Sequence, residues 1–438
     1  MNFENLLSGY TEYSGFCAAL KNGETPISVA GVVDSAAAHF IYETSRGKKT
    51  LVITYSDMEA AQLVSDLRLF AEGTEVFPSK EYLFFDIDAR DRHSEFRRLS
   101  ALAADEITVA SLESLLQFTL PPEIMQKYTL DLVQDGECEP SEICEKLIKM
   151  GYSREDEVSG RGQFAMRGGI LDVFSPQAEN PVRIEFFDIQ IDSIREFDVM
   201  TQRSVDTLEA VRLIPCSELC GVDTGALAEK LSAAVKRLKR KKSDQSAVIE
   251  NIENDIESIK SGIIPTSICK YIGIIFDKIP TLLDYYDENS LIFLMEPKRI
   301  AERAKSFEWE QGEIIEDLAA KNLIARDFAG MWAAYAEISA RLQNLPLVSM
   351  NSLTHSAITY TYKAIFNFST KTTVSLHGKI DYLYSDLTER QKDGATVIVL
   401  ASNRSRGENL AGTLNDKGIK CRYMHDVGEF DKGEIVIM

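Results

Sequence analysis

The stretch from residue 162 to 198, GQFAMRGGILDVFSPQAENPVRIEFFDIQIDSIREFD, constrains the fold more than any other part of the chain. It contains three short runs with the alternation of β-strands, separated by two turn signals. In the run from 182 to 187, successive side chains are expected to point to opposite faces of a sheet. One face is core-like and the other carries two charges and an aromatic ring: Val182, Ile184 and Phe186 face inward, and Arg183, Glu185 and Phe187 face outward.

An outward arginine beside an outward phenylalanine is typical of the anchors of protein–protein contacts. A structural interpretation stays open beside this one. The glycines at 162, 168 and 169 could serve tight turns, and Arg167 could pair with Asp172 or Glu185. The residues alone therefore leave partner binding and a purely structural domain as alternatives.

Length and charge limit the class of function. With 438 residues the chain is too long for one ordinary core, and about two to four domains are expected. Its formal net charge is -20 at pH 7. Long-range repulsion from phosphate groups therefore disfavours nucleic-acid binding by this chain itself, whereas a partner with a basic surface would be attracted.

The cysteines and the apolar runs indicate the cellular setting. There are seven cysteines, and the two close pairs, Cys138 with Cys144 and Cys216 with Cys220, have no histidine at ligand spacing. We therefore expect reduced thiols and no metal site. The first residues do not resemble a signal peptide, and no apolar run approaches about 18 residues. The expectation is a cytoplasmic protein without membrane contact.

The alternation of strand and helix patterns predicts the fold class. Residues 1–126 alternate strand-like and helix-like segments, which favours an α/β layer with a mainly parallel sheet. Strand after strand follows from 127 to 214, with one helix at 141–150. The next block is mostly helical, including residues 308–343, and has one buried strand at 291–295. Because this is too little for a sheet of its own, we expect that strand to complete the first sheet.

The predicted organisation is an α/β domain with an insertion, followed by a smaller domain. Its four segments are 1–126, the first part of a degenerate NTPase-like α/β domain; 127–214, an inserted α+β module; 215–348, the second part of the α/β domain; and 349–438, a small α/β domain. The chain stops on the apolar run Glu434–Met438. Domains rarely end on an unpaired apolar strand, so we expect the small domain to be truncated at its end.

The turn from Gly31 to Ala37 stands where a phosphate-binding loop would be expected. Such a loop needs several glycines, a lysine and a hydroxyl for magnesium. Here one glycine is followed by Asp34 and Ser35, with no lysine. The acidic pair that would complete an NTPase site is replaced by Met295 and Glu296. We therefore predict that this chain has no catalytic residues and binds no cofactor.

Three other candidate sites are weak. The segment 81–93 is short and acidic for a DNA-gripping hairpin, and its Asp86, Asp88 and Asp91 are typical of a solvated loop rather than a nuclease centre. The basic run 236–242 could bind nucleic acid, but it is followed by an acidic helix that could pair with it across a helical hairpin. The acidic residues are Glu250, Glu253, Asp255 and Glu257.

The opening stretch resembles a domain shared by the bacterial transcription-repair coupling factor family and the excision-repair subunit UvrB. The matching runs are Gly162–Phe164, Arg167–Phe174, Arg183–Phe187 and Asp192–Asp198. The run Thr201–Ser204 favours the coupling factor family, as does Ala165, where UvrB has a further arginine. UvrB also has an intact nucleotide loop and a long aromatic hairpin, both lacking here. The resemblance implies a degenerate P-loop-type parallel sheet with an inserted module similar to domain 2 of UvrB.

The resemblance also implies a function. The chain would be a non-catalytic adaptor, a monomer, that recruits UvrA to RNA polymerase stalled at DNA damage in nucleotide excision repair. RNA polymerase and DNA would be bound by parts of the parent protein missing here, together with its ATP-driven translocase motor. The alternative is an active UvrB-like, ATP-dependent helicase component that binds damaged DNA.

The residues that match the UvrA-contacting positions of the family lie on the opening stretch. They are Arg167, Arg183, Glu185, Phe187 and Arg195. Their guanidinium groups would bind carboxylates on UvrA, and Phe187 would fill an apolar pocket. One departure affects the hairpin: the family's Gly-Asp-Glu turn is replaced by residues 188–190, Asp-Ile-Gln, which could change the strand register.

Overall fold

The computed structural model describes residues 3–33, 35–84, 92–240, 246–328, 330–353, 360–372, 380–401, 403–425 and 431–438. The chain divides into two compact units. The terminal unit comprises residues 1–46, 351–355 and 362–438, and the central unit comprises 47–350 and 356–361. None of the helices in the described ranges is long and apolar enough to cross a lipid bilayer.

The strands are β1 Ile27–Ala30, β2 Thr50–Thr54, β3 Glu75–Phe77, β4 Ile107–Ser111, β5 Leu130–Val133, β6 Ser153–Arg154, β7 Gln163–Arg167, β8 Ile170–Val173, β9 Val182–Phe187, β10 Gln190–Phe197, β11 Ser204–Leu208, β12 Ala210–Leu213, β13 Leu291–Met295, β14 Leu347–Asn351, β15 Ala364–Asn367, β16 Val397–Val399, β17 Cys421–Tyr423 and β18 Ile435–Ile437.

The α-helices are α1 Thr11–Lys21, α2 Ser35–Ser45, α3 Asp57–Leu67, α4 His93–Ala103, α5 Leu112–Leu116, α6 Pro122–Tyr128, α7 Pro140–Lys149, α8 Thr224–Leu238, α9 Ser246–Lys260, α10 Ile272–Ile275, α11 Pro297–Ala320, α12 Tyr335–Leu342, α13 Ile380–Lys392 and α14 Arg404–Asp416.

The central unit is built on a parallel sheet, which confirms the predicted α/β class. Within this unit the strand order is β14-β13-β2-β4-β3, and each of these pairs is parallel. Every residue of β2 and β4 is buried, as expected where helices cover both faces of a parallel sheet. Because β13 pairs with β2, the prediction that the later block completes the first sheet is confirmed.

The segment predicted as an inserted module forms a sheet of its own, in the order β11-β10-β9-β8-β7-β6. Beside it, β5 and β12 form a two-stranded antiparallel ladder. Helix α7 packs Ile143 and Leu147 into the core under the larger sheet. The predicted succession of strands with one helix is confirmed, and the helix begins at Pro140 because proline is favourable in a first turn.

Helices α8 and α9 pack along a shared apolar seam that includes Leu231 and Ile252. The predicted pairing of the basic run with the acidic helix is found between Lys239 and Glu253, 2.6 Å apart. Asp255 differs from the prediction, because it pairs with Lys270 instead (2.6 Å). The stretch 308–343 is mostly helical, as predicted, with a break between the end of α11 at Ala320 and the start of α12 at Tyr335.

In the terminal unit, β1 pairs in parallel with β15, and Phe16 and Phe40 of α1 and α2 pack against Phe366 and Phe368. A second, three-stranded parallel sheet has the order β16-β18-β17. The apolar run at residues 434–438 was expected to be unpaired, and the structure corrects this. Strand β18 is bonded on both sides, and its three residues are fully buried.

Candidate functional site

One face of the module's large sheet carries the residues predicted to bind a partner. The register places Ala165, Asp172, Arg183, Arg195 and Thr207 in one row across β7 to β11. The next row on the same face runs through Arg167, Ile170, Glu185 and Ser193, and Phe187 follows on β9. These rows are called the outer face below. All five predicted residues lie on it.

The predicted orientation of β9 is confirmed. Val182 and Ile184 are 3% and 0% exposed and belong to the core under the sheet, and Phe186 packs against the same core. On the outer face Phe187 is 78% exposed. The opposite behaviour of two adjacent phenylalanines follows directly from the two-residue period of a strand.

Asp172 binds two of the three arginines named on the outer face, Arg167 and Arg183. The Asp172 side chain is 1% exposed. Arg183 donates two hydrogen bonds to it, from Nε to Oδ1 at 2.7 Å and from Nη2 to Oδ2 at 2.9 Å. These hydrogen bonds raise the pKa of the Arg183 guanidinium above its ordinary value. The guanidinium also lies 4.5 Å from the centre of the Phe197 ring and donates to the side chain of Gln202 at 3.1 Å.

Arg183 therefore differs from the expectation of a freely outward side chain. Its side chain is only 22% exposed, because it neutralises a buried carboxylate and covers an aromatic ring. The sequence analysis named Asp172 only as one possible partner of Arg167 and missed its place at the centre of this charged group. The signal that could have found it is the alternation along β8, which puts a carboxylate on the same face as Ile170.

Arg167 completes the group from the edge of the sheet. Its Nη2 lies 2.6 Å from Oδ2 of Asp172, and its side chain is 48% exposed. Beside the carboxylate, Ala165 is buried in a small cluster with Val158 and Phe174. The outer face is therefore covered at the Ala165 end and open toward Arg167 and Phe187.

A second ion pair lies in the middle of the outer face. Arg195 donates to Oε1 of Glu185, and the Ser193 hydroxyl donates to the other carboxylate oxygen at 3.2 Å. Both charged side chains are about one third exposed, at 35% and 32%. The ion pair thus fixes the side chains of Arg195 and Glu185, and part of each remains accessible to a partner.

The turn after Phe187 keeps the strands in register. Phe187 pairs directly with Gln190, so Asp188 and Ile189 form a two-residue turn, and Asp188 takes a positive φ of 58°. Aspartate tolerates this left-handed conformation better than most residues. The register shift in this hairpin lies further on, between Ile191 and Ser193.

The degenerate nucleotide loop and the degenerate acidic pair predicted from the sequence fall in different units. Gly31 has a φ of 77° and Ser35 begins α2, both in the terminal unit. Asp34 lies outside the described residues. In the central unit, Met295 ends β13 and Glu296 precedes α11 in a left-handed conformation with a φ of 50°.

The remaining candidates from the sequence carry no assembled site. Asp86, Asp88 and Asp91 lie outside the described residues. Within the ranges that are described, no group of three or more His, Cys, Asp or Glu side chains is arranged to hold a metal ion. The seven cysteines, all in described ranges, form no disulfide.

Comparison with known proteins finds relatives of the module and of the whole chain. Residues 130–219 match the family model of the UvrB interaction domain. The transcription-repair-coupling factor of Bacillus subtilis (strain 168) is 28% identical over 458 aligned positions, which cover 100% of this chain and 38% of that protein. Those of Staphylococcus haemolyticus and Staphylococcus aureus (strain MRSA252) are each 28% identical, covering 95% and 91% of the chain and 36% and 35% of their own length.

The chain thus spans a little over a third of the length of these curated relatives. The matched domain contains the whole outer face, which lies between Ala165 and Thr207. The resemblance inferred from the sequence motifs is confirmed: residues 130–219 match the model of the UvrB interaction domain, and the whole chain is similar to transcription-repair-coupling factors.

Proposed function

We propose that this chain is a non-catalytic adaptor whose outer face docks UvrA, and so recruits it to lesion-stalled RNA polymerase during nucleotide excision repair. The observation that carries the proposal is the exposed Phe187 beside ordered ion pairs, on one face of a UvrB interaction domain. Exposed aromatic side chains next to arginines are typical hot spots of protein interfaces.

The chemistry of the face suits a partner with carboxylates around an apolar pocket. Phe187 lies at the end of β9, and Ile170 on β8, 37% exposed, pairs with Glu185, two residues before Phe187. Burying both against a partner removes apolar surface from water. Arg167 and Arg195 flank them and can form charge-assisted hydrogen bonds with acidic groups.

The proposal extends to a longer parent protein, because the coupling-factor relatives are longer than this chain. In that parent, an ATP-dependent DNA translocase motor would displace RNA polymerase, and other regions would contact the polymerase and DNA. The central sheet would be a degenerate P-loop-type domain, and the module would correspond to domain 2 of UvrB. The UvrA-docking module would then supply the link to excision repair.

We further propose that this chain does not bind or hydrolyse ATP, in contrast to an active UvrB-like helicase component. The amide of Val33, which in a phosphate-binding loop would face the nucleotide, donates to the Thr370 hydroxyl at 2.9 Å. That hydroxyl donates in turn to the carbonyl of Gly31 at 2.9 Å. The Val33 amide and the Gly31 carbonyl are thus hydrogen-bonded within the chain, and Met295 offers no carboxylate for magnesium.

Binding to immobilised UvrA, measured by biolayer interferometry, tests the docking proposal. Phe187→Ala should weaken binding by about 2 kcal/mol or more, roughly 30-fold, without lowering the melting temperature. Trp309→Ala is the matched control, because Trp309 is an equally accessible aromatic (68% exposed) on α11, outside the module. Unchanged binding by Phe187→Ala, or an equal loss in both variants, would contradict the proposed face.

A further inference from the structure

Asp172 joins two arginines whose environments differ. Arg183 is fixed from several sides: two hydrogen bonds to Asp172, one to Gln202, and the ring of Phe197 beneath its guanidinium. A guanidinium held by a bidentate carboxylate and an aromatic ring has little freedom to turn toward a new partner. Arg183 is therefore oriented toward the interior of the module.

Arg167 is placed differently. Within the described residues it is held by a single hydrogen bond to Oδ2 of Asp172, and almost half of its side chain is exposed. A guanidinium has five N–H donors in a fixed plane, so anchoring one of them leaves others available at a set angle. Because Arg183 already neutralises Asp172, the three groups together carry one net positive charge, and Arg167 is the one that presents it to solvent.

We infer that Asp172 is a positioning residue for partner recognition: it holds Arg167 in an orientation that can bind a carboxylate of the docking protein. Arg183 has a structural role, because it holds Asp172 from the inner side of the module. The inference rests on the proposed docking of UvrA. Its physical basis is preorganisation, since a long side chain already held in its bound orientation loses less freedom on binding than a mobile one. It also predicts the chemistry of the partner, an acidic group beside the apolar pocket that receives Phe187.

A double-mutant cycle on the 438-residue chain tests this role. Asp172→Asn preserves side-chain size and removes the charge, and we expect UvrA binding to weaken about tenfold, because Arg167 is then mobile. In the Arg167→Ala background the same change should alter affinity by less than about twofold. A merely structural role for Asp172 predicts the same loss in both backgrounds, and that result would overturn the inference. Circular dichroism at the assay temperature establishes that each variant is folded.

A conservative change at the surface tests the inference without touching the buried carboxylate. Arg167→Lys retains the charge but removes the planar fork of donors, so binding should fall about tenfold while the melting temperature is unchanged. Binding equal to that of the unaltered chain would refute a positioned guanidinium.

Phe187→Ala separates failure of the inference from failure of the proposed function. If Phe187→Ala leaves UvrA binding intact, the outer face is not the docking surface, and the inference fails with it. If Phe187→Ala weakens binding but Asp172→Asn acts equally in both Arg167 backgrounds, the docking surface stands and the positioning role of Asp172 is wrong.

Discussion

Arg98 and Glu218 form an ion pair in the interior of the central unit, with Nε and Oε1 2.9 Å apart and side-chain exposures of 0% and 2%. Arg98 lies on α4, which packs against β3 of the parallel sheet, whereas Glu218 closely follows the last strand of the module, β12. Lys80 and the Thr119 hydroxyl also bind the same carboxylate. The segment that follows β12 is therefore held against α4 by a buried charge cluster.

Removing the carboxylate should destabilise the central unit strongly. Glu218→Gln leaves Arg98 buried without a counter-charge, and we expect a loss of about 3 kcal/mol or more in the free energy of unfolding. Glu316→Gln is the matched control, because its pair with Arg326 is exposed and should contribute less than about 1 kcal/mol. Denaturant unfolding followed by circular dichroism measures both. Similar effects of the two changes would show that the buried pair does not stabilise the central unit more than an exposed pair does.

The same carboxylate predicts a dependence of stability on pH. Burial by itself would raise the pKa of Glu218, but Arg98 and Lys80 outweigh it and lower the pKa from 4.5 to about 2. A lowered pKa in the folded state stabilises the fold above the unfolded pKa and loses that contribution as the pH falls. The stability difference between the unaltered chain and Glu218→Gln should therefore be constant above about pH 5 and shrink between about pH 4.5 and 2. A constant difference down to pH 2 would contradict the assignment.

Two glycines of the opening stretch should respond differently to substitution. Both have positive φ angles, 78° at Gly162 and 59° at Gly168. A Cβ at Gly162 would lie 2.7 Å from the Phe96 ring, whereas a Cβ at Gly168 would have no atom within 4 Å. Gly168→Ala should cost about 1–2 kcal/mol for the backbone conformation, and Gly162→Ala clearly more because of the added clash. Thermal denaturation of the two variants decides this, and equal losses would speak against a packing role for Gly162.

Replacing Arg183 should destabilise the fold more than replacing Arg167. Arg183→Ala leaves Asp172 with one partner and uncovers Phe197, so a loss of about 2–4 kcal/mol in the free energy of unfolding is expected. Arg167→Ala removes a half-exposed side chain and should cost about 1 kcal/mol or less. Chemical denaturation provides the measurement. If Arg183→Ala were as stable as the unaltered chain, the structural role assigned to Arg183 would be incorrect.

Nucleotide should not stabilise this chain. At 1 mM ATP and magnesium, a site with a dissociation constant of about 100 μM would add about 1.4 kcal/mol to the stability of the folded state. We expect no shift of the melting temperature, because the amide of Val33 is bonded to Thr370 and the turn from Gly31 to Ala37 contains no lysine. Differential scanning fluorimetry with and without ATP tests this expectation, and saturable stabilisation by ATP would refute it.

Features that depend on local periodicity could be predicted from the sequence alone. The two-residue period of β9 separated Phe186 from Phe187, and the strand–helix alternation of the first segment predicted a parallel sheet. At the start of α3 the side chain of Ser56 accepts a hydrogen bond from the amide of Glu59, three residues further on, as a helix cap does. Such features are encoded by residues close together in the chain, so they can be read without knowing the fold.

Tertiary structure decided which charges meet. Arg183 pairs with Asp172 across two strands, and Arg98 meets Glu218 from 120 positions away. It also placed the apolar run at 435–437 in the middle of a sheet, where the sequence had suggested an unpaired end. A charge or a strand has many possible partners in a sequence of this length, and selection among them depends on long-range register and burial. Local patterns cannot supply that information, because the same alternation is compatible with many different neighbours.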